Sequence, residues 1–383
     1  MINFFRQILK PKYDTLNKIE IDAKKIISNF NYLKERQGSS EIFPVLKSNA
    51  YGHGLKEMCL ILNKTTAPIV IVDSFPEAQI ALRYFKRKIL ILGEMPLKAY
   101  GYCDFKRTEF IIYNSETLRY LARYGKKVQV HLFINSGMNR EGVKDLPRFI
   151  EDNKKHLDSV EVVGLCSHLA SADEESILNQ TQEAEFMAAL DALRSFGYFP
   201  RWVHLGNSAG LLSLNNKLLT AYRPGLALYG YDPFSNADES SAVFNEYLQP
   251  AINVTSQIVS VQRLLPNETV SYNETYRASR ETNIAVIPFG YFEGLDRRLS
   301  NRAEFLVQMS GESVWAPIAG KVCMNLTCLD LGDASAQKGN TVVIVSSNKE
   351  DRNSVLALSR YMNTIPYEFL VRLQSNIRRE IIW

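Results

Sequence analysis

At 383 residues, 46% hydrophobic and 22% charged, the chain has room for two domains, or one large domain with an extension, and the ordinary make-up of a soluble globular protein. A net charge of +4, dispersed and without a basic patch carrying interleaved aromatics, argues against nucleic acid as a partner. No apolar run approaches the roughly 20 residues that span a bilayer, the opening MINFFRQILKPKY breaks too soon for a secretory signal, and five cysteines without a CxxC pair speak against a disulfide framework or a metal site; the expectation is a reduced, cytoplasmic protein with no membrane partner.

A helix is expected first, capped by Asp22, with Ala23, Ile26, Ile27, Phe30 and Leu33 on one face. Short apolar runs then recur: EIFPVLK (41–47), PIVIV (68–72), KILIL (88–92), EFIIY (109–113), VQVHLFI (128–134), VEVVGLC (160–166), WVHL (202–205) and LTAY (219–222). Amphipathic stretches such as 115–125 and 181–197 lie between them. Continuous apolar strands alternating with helices imply a parallel sheet covered on both faces. Eight such units imply a (β/α)8 barrel, over residues 17–243, with a doubly wound open sheet as the alternative. From about 244 the texture changes. INVTSQIVSVQRLL, NIAVIPFG, EFLVQM, VCMNLTCLDL and TVVIVSS read as strands joined by short turns, which predicts a mostly antiparallel β domain over 244–383, followed near 352–362 by a helix. Residues 1–16 are expected to pack with that domain.

A parallel barrel collects its chemistry at the carboxyl ends of its strands. Those ends carry Lys47, Arg140, His168, Ser208 and Arg223. Each alone has an ordinary structural reading, as a solvated cap, a satisfied histidine or a surface ion pair. Five polar groups on one rim are harder to explain that way. A lysine in a cationic, partly buried setting becomes a nucleophile for a carbonyl, and the resulting Schiff base is how pyridoxal phosphate is held. GNSAG (206–210) and RPGLALYG (223–230) offer a hydroxyl, backbone N–H groups and Gly225 near the last strand, where barrel phosphate sites form.

The segment VLKSNAYGHG (45–54) is similar to the cofactor-lysine motif of the alanine racemases, the fold-type III pyridoxal phosphate enzymes. NSGMNREG (135–142), SHLASAD (167–173), HLGNSAG (204–210), RPGLALYG, VSYNETY (270–276), GYFEG (290–294), GKVCMN (320–325) and PYEFL (366–370) follow in that family's order, so the chain resembles the family over nearly its whole length. The resemblance implies that Lys47 forms the internal aldimine with pyridoxal 5'-phosphate. It implies that Tyr51, Ser208, Gly225, Leu226 and Tyr367 contact the phosphate, and that Arg223 faces the pyridine nitrogen. Arg140 would approach the phenolic oxygen and the substrate carboxylate, which the Met324 N–H would help to bind. Tyr272, oriented by His168, would be the second acid/base, and Tyr291 would line the entrance.

Inverting Cα needs a proton acceptor on one face and a donor on the other, and the resemblance assigns these to Lys47 and Tyr272. It also implies a head-to-tail homodimer with shared sites, a small amino-acid substrate, and D-alanine supply for peptidoglycan. Five positions depart from the family pattern, Gly206 and Asn273 being smaller variations. Phe133 stands where many relatives have a lysine that steadies the arginine matching Arg140. Asn135 and Asn325 replace usual aspartates. Asn135 or a bound anion is expected to support Arg140 instead. These departures bear on the substrate, leaving a serine or broad-specificity racemase as the alternative to alanine. A non-catalytic cofactor carrier would not need Tyr272, Met324 or a second domain, and a decarboxylase would place an acid where Arg223 stands.

Overall fold

The structure, a computed structural model, describes residues 14–234 and 246–383. The expected packing of residues 1–13 and the expected domain change at 243/244 lie outside the described residues. The chain divides into two compact units, one of residues 22–251 and one of 252–382 together with 14–21. The first strand, β1 (Lys18–Asp22), belongs to the second of these, and sequence patterning did not anticipate it.

The first unit opens with the helix Ala23–Gln37. Asp22 caps it by accepting from the Lys25 N–H, and Ile26, Phe30 and Leu33 are buried along one face. Eight parallel strands follow: β2 (Glu41–Ile42), β3 (Ile69–Val72), β4 (Lys88–Ile91), β5 (Thr108–Ile112), β6 (Gln129–Phe133), β7 (Glu161–Cys166), β8 (Trp202–His204) and β9 (Ala221–Tyr222). β3 to β8 form one six-stranded sheet in sequence order, and β2 pairs with β9. Val45 bridges Ile71 on one side of that pair, and the Thr220 N–H donates to Val203 O, 2.9 Å, on the other. The sheet therefore closes on itself as a (β/α)8 barrel, which sets aside the open-sheet alternative. β2 is short because Pro44 has no N–H to give, although its carbonyl still accepts from Ile71. Every residue of β3 and β5 is buried, as strands covered on both faces require.

The second unit is built from antiparallel pairs. β10 (Ile252–Gln257), β15 (Glu304–Met309), β16 (Glu312–Pro317), β18 (Thr341–Val345) and β19 (Arg378–Ile382) join β1 in a six-stranded sheet of order β16-β15-β18-β10-β1-β19, where β11 (Ser260–Leu264), β12 (Thr269–Val270), β13 (Tyr276–Arg277), β14 (Thr282–Ile287) and β17 (Thr327–Gly332) lie outside it. β11, β14 and β17 make a three-stranded sheet, and β12 and β13 a two-stranded ribbon. The expected strand VCMNLTCLDL is ordered as β17 only from Thr327 onward. Residues 320–326 run as a loop.

Candidate active site

Lys47 directly follows the strand-end residues 43–46 and opens a short turn, Lys47–Tyr51, of unusual hand. Ser48, Asn49, Ala50 and Tyr51 all have positive φ, between 51° and 56°. A left-handed turn of L-residues costs roughly 1–2 kcal/mol per residue, so this segment stores several kcal/mol that its surroundings must offset. Glu77 does part of this. Its carboxylate accepts from the Asn49 N–H (3.2 Å) and the Asp73 N–H (2.9 Å). The Asn49 side chain accepts from the Leu55 N–H at 2.9 Å, and Ala50 N–H donates to Leu46 O at 2.8 Å. The bonds hold Lys47 at a fixed point on the rim.

The same turn delivers Tyr51. Its ring packs 5.1 Å from that of Tyr229, whose hydroxyl donates to Val45 O. The Tyr51 hydroxyl lies directly over Gly225. Beside it, Ser208 Oγ accepts from the N–H groups of Gly225 (3.0 Å) and Ala227 (3.2 Å). The Tyr51 and Ser208 hydroxyls and the Gly225 and Ala227 amides thus cluster at one place, and the two amides donate to Ser208 Oγ as they could to an oxygen of a phosphate monoester. Leu226 lies buried between Gly225 and Ala227, and the Ala227 amide is a donor that sequence patterning missed.

Arg223 is almost wholly buried. Its Nη1 donates to His204 Nδ1 (2.7 Å) and His204 O (2.6 Å). Its Nη2 donates to Ser167 O (2.6 Å) and Leu205 O (3.2 Å), with His168 Nδ1 at 3.4 Å. Burial lowers the Arg223 pKa from its ordinary value, yet a guanidinium keeps its proton in proteins. His168 is pushed down to about 3, first by desolvation and then by the positive charges of Arg223, Arg140 and Lys47. It is therefore neutral at pH 7. With Nδ1 turned to Arg223, its remaining proton sits on Nε2.

Arg140 is placed by the loop 135–142, which leaves β6 and returns where Val143 bridges Ile134. Its partner differs from the expectation. Glu141 grips the guanidinium through Nε (2.5 Å) and Nη2 (2.7 Å), whereas Asn135 spends its side chain inside the loop, bonding Asn139 and accepting from the Gly137 and Asn139 amides. A neighbouring carboxylate, rather than Asn135, is thus the side chain that holds Arg140. Phe133 is buried at the strand end.

In the second unit, Tyr272, Tyr291 and Met324 line one cavity of about 720 Å3, with Cys323, Arg297 and Arg372 among its other walls. Tyr272 stands on a turn between Ser271 and Asn273, both at φ 64°, and is 64% exposed. The loop of Met324 is tied to that of Tyr291, since Tyr291 N–H donates to Cys323 O and Phe292 N–H to Met324 O. Asn325 donates to Glu293 at 3.1 Å. Tyr367 lies on the helix Pro366–Arg372, outside that cavity lining.

A parallel barrel with a lysine at a strand end, a phosphate-sized set of donors and a buried guanidinium defines an enzyme scaffold for a phosphorylated carbonyl cofactor. Residues 21–233 match the family model for the alanine racemase N-terminal domain, and residues 251–381 match that for the C-terminal domain. The chain belongs to the alanine racemase family. It is 31% identical over 374 residues to an alanine racemase of Helicobacter pylori, covering 94% of this chain and 97% of that protein. It is 30% identical over 378 residues to alanine racemase 2 of Caldanaerobacter subterraneus, covering 96% and 95%. The crystal structure of a Bacillus anthracis alanine racemase with bound L-Ala-P superposes with a TM-score of 0.87 at 26% identity, over 97% of this chain and 96% of that one.

Proposed function

We propose that the protein is a pyridoxal phosphate-dependent alanine racemase that interconverts L- and D-alanine with Lys47 and Tyr272 as its two bases, supplying D-alanine for peptidoglycan in the cytoplasm. The observation that carries this reading is the phosphate-suited cluster of Tyr51, Ser208, Gly225 and Ala227 beside the braced Lys47 turn. The residues present fit the cofactor. Lys47 would hold its carbonyl carbon, the cluster its phosphate, and Arg223 would face its ring nitrogen. Tyr367 is proposed as a further phosphate contact.

When bound, the cofactor supplies the electron sink that makes a Cα proton removable. The protein does the rest. Arg140, steadied by Glu141, and the Met324 N–H receive the substrate carboxylate, fixing which faces of Cα the bases meet. Lys47 Nζ takes or returns the proton on one face and the Tyr272 phenol does so on the other. His168, neutral and carrying its proton on Nε2, serves as a donor that orients the tyrosine. Arg223, a cation that cannot itself accept a proton, disfavours protonation of the ring nitrogen and so restrains side reactions. Tyr291 shapes the entrance. The active form is a homodimer in which Tyr272 and Met324 of one copy serve the barrel of the other.

Chiral analysis of a panel of L-amino acids incubated with protein and cofactor tests the reading. D-alanine should form fastest, and faster D-serine would redirect it to a serine or broad-specificity racemase. No racemisation at all, with cofactor bound, would leave a carrier. Borohydride reduction and peptide mapping should place the cofactor on Lys47. Mixing Lys47→Ala with Tyr272→Phe subunits should restore some activity. No recovery with subunit exchange confirmed would sink the shared site.

A further inference from the structure

Among the described residues, Arg223 has no carboxylate as a hydrogen-bond acceptor. Its counter-charge sits at the end of a buried chain. His204 Nε2 lies 2.8 Å from His131 Nδ1, and His131 Nε2 lies 2.8 Å from Glu109 Oε2. Glu109, His131 and His204 are all 0% exposed. The other carboxylate oxygen, Oε1, is held by Lys88 at 2.7 Å and faced by Arg201 at 3.8 Å. Gly164 of β7 makes room for this arrangement, because a methyl there would land on the His131 ring.

The direction of the chain is forced by chemistry. A guanidinium only donates, so His204 Nδ1 must accept, and His204 carries its proton on Nε2. His131 Nδ1 must then accept in turn, and its Nε2 proton goes to the carboxylate. Desolvation, then the charge of Arg223, keep His204 far from protonation. Burial alone would raise the Glu109 pKa, but the hydrogen bond from His131 and the bond and charge of Lys88 outweigh it and hold the group below its ordinary value. Every link therefore has one allowed orientation.

We propose that Glu109 is a positioning residue for the racemase reaction, acting through His131 and His204 to fix the tautomer that receives Arg223 and thereby to aim the guanidinium. The proposal rests on the proposed reading of Arg223 as the group facing the cofactor nitrogen. Glu109→Gln removes the charge but keeps the shape. Lys88, bonded to that oxygen where the exposed Arg201 stands off at 3.8 Å, then draws the amide oxygen, and the amide NH2 turns toward His131 Nε2. Both imidazoles must flip, which sets His204 Nδ1–H against Arg223 Nη1–H.

The test is 15N-histidine labelling, since the chain has only five histidines. In the cofactor-free protein and in the holoenzyme, His131 and His204 should both show protonated Nε2 and bare Nδ1. In Glu109→Gln both should change tautomer, and kcat should fall about tenfold, equivalent to ~1.4 kcal/mol of lost transition-state stabilisation, with a smaller change in KM. Glu109→Gln/Lys88→Met should restore the original tautomers and part of kcat, because the amide oxygen is free to face His131 again. A purely structural role predicts further loss in the double variant, which would overturn the proposal, as would Nδ1-protonated His204 in the wild type. The half-exposed Lys88→Met alone guards against a Glu109 variant that does not fold. It should keep both tautomers and shift the His131 Nε2 signal, and an unmoved signal would count against the relay. Because the tautomers are read without cofactor or turnover, failure of the relay is distinguishable from failure of the racemase reading.

Discussion

The Tyr51 hydroxyl occupies the space that a side chain on residue 225 would need. A methyl built on Gly225 would stand 2.5 Å from Tyr51 Oη and 2.8 Å from its ring. Gly225→Ala must displace the tyrosine, and with it one of the donors proposed for the phosphate. Pyridoxal phosphate affinity, measured by titrating the cofactor-free protein, should fall about tenfold, equivalent to ~1.4 kcal/mol. Unchanged affinity would remove Tyr51 from the phosphate site.

Glu141→Gln should raise KM for alanine by about two- to fivefold with little effect on cofactor binding, because the pair with Arg140 is half exposed and worth only about 1 kcal/mol or less. Chloride or bicarbonate should leave the wild-type KM unaltered. An anion-dependent KM would show that Glu141 is not the group that steadies the arginine in solution.

Tyr272→Phe should leave the cofactor bound and cut racemisation severely. Lys47 is expected to work on D-alanine and Tyr272 on L-alanine, so exchange of the α-proton with solvent should survive far better for the D-isomer. The gap should approach the roughly 10²–10⁴-fold of a general base and is read by deuterium wash-in. Equal loss for both isomers would point to one base serving both faces.

Acid should weaken the barrel before it reaches the carboxylates. The folded-state pKa of His168 lies far below its ordinary 6.5, and that of His204 is lowered as well. The unfolded chain therefore binds more protons once pH drops below about 6.5, and stability falls with pH through that window. Glu109, held below its ordinary 4.5, adds a second loss as pH falls below about 4.5. Calorimetry should find a lower Tm at pH 5 than at pH 7, with a smaller difference in His168→Gln. A flat Tm over that range would contradict neutral, buried imidazoles.

The barrel was legible because buried parallel strands are continuous apolar runs. Even LTAY, with only Ala221 and Tyr222 in register, supplies the closing strand. Lys47, Tyr51, Ser208 and Arg223 were legible as candidates through their motifs. Strand β1 was not, since KIEID buries alternate residues in a sheet whose partner, β10, lies more than 200 positions away. Glu109 and His131 carried a faint signal, a charged and a titratable residue inside otherwise apolar strands, but only the closed sheet reveals that they meet. Glu141 was hidden for a different reason. Nothing in the order of residues 135–142 says whether a carboxylate will turn toward Arg140 or away.

The turn from Ser48 to Tyr51 is a backbone of the opposite hand, the shape that D-residues would take without strain. Of Ser, Asn, Ala and Tyr only Asn tolerates it, and then as a single residue, and Glu77, one of its braces, comes from a later segment of the chain. The turn can hold only after that segment has docked. Lys47 therefore reaches its working position no earlier than the helix Phe75–Tyr84 packs against the turn, so the lysine that the sequence writes first on the rim is set in place by residues written after it.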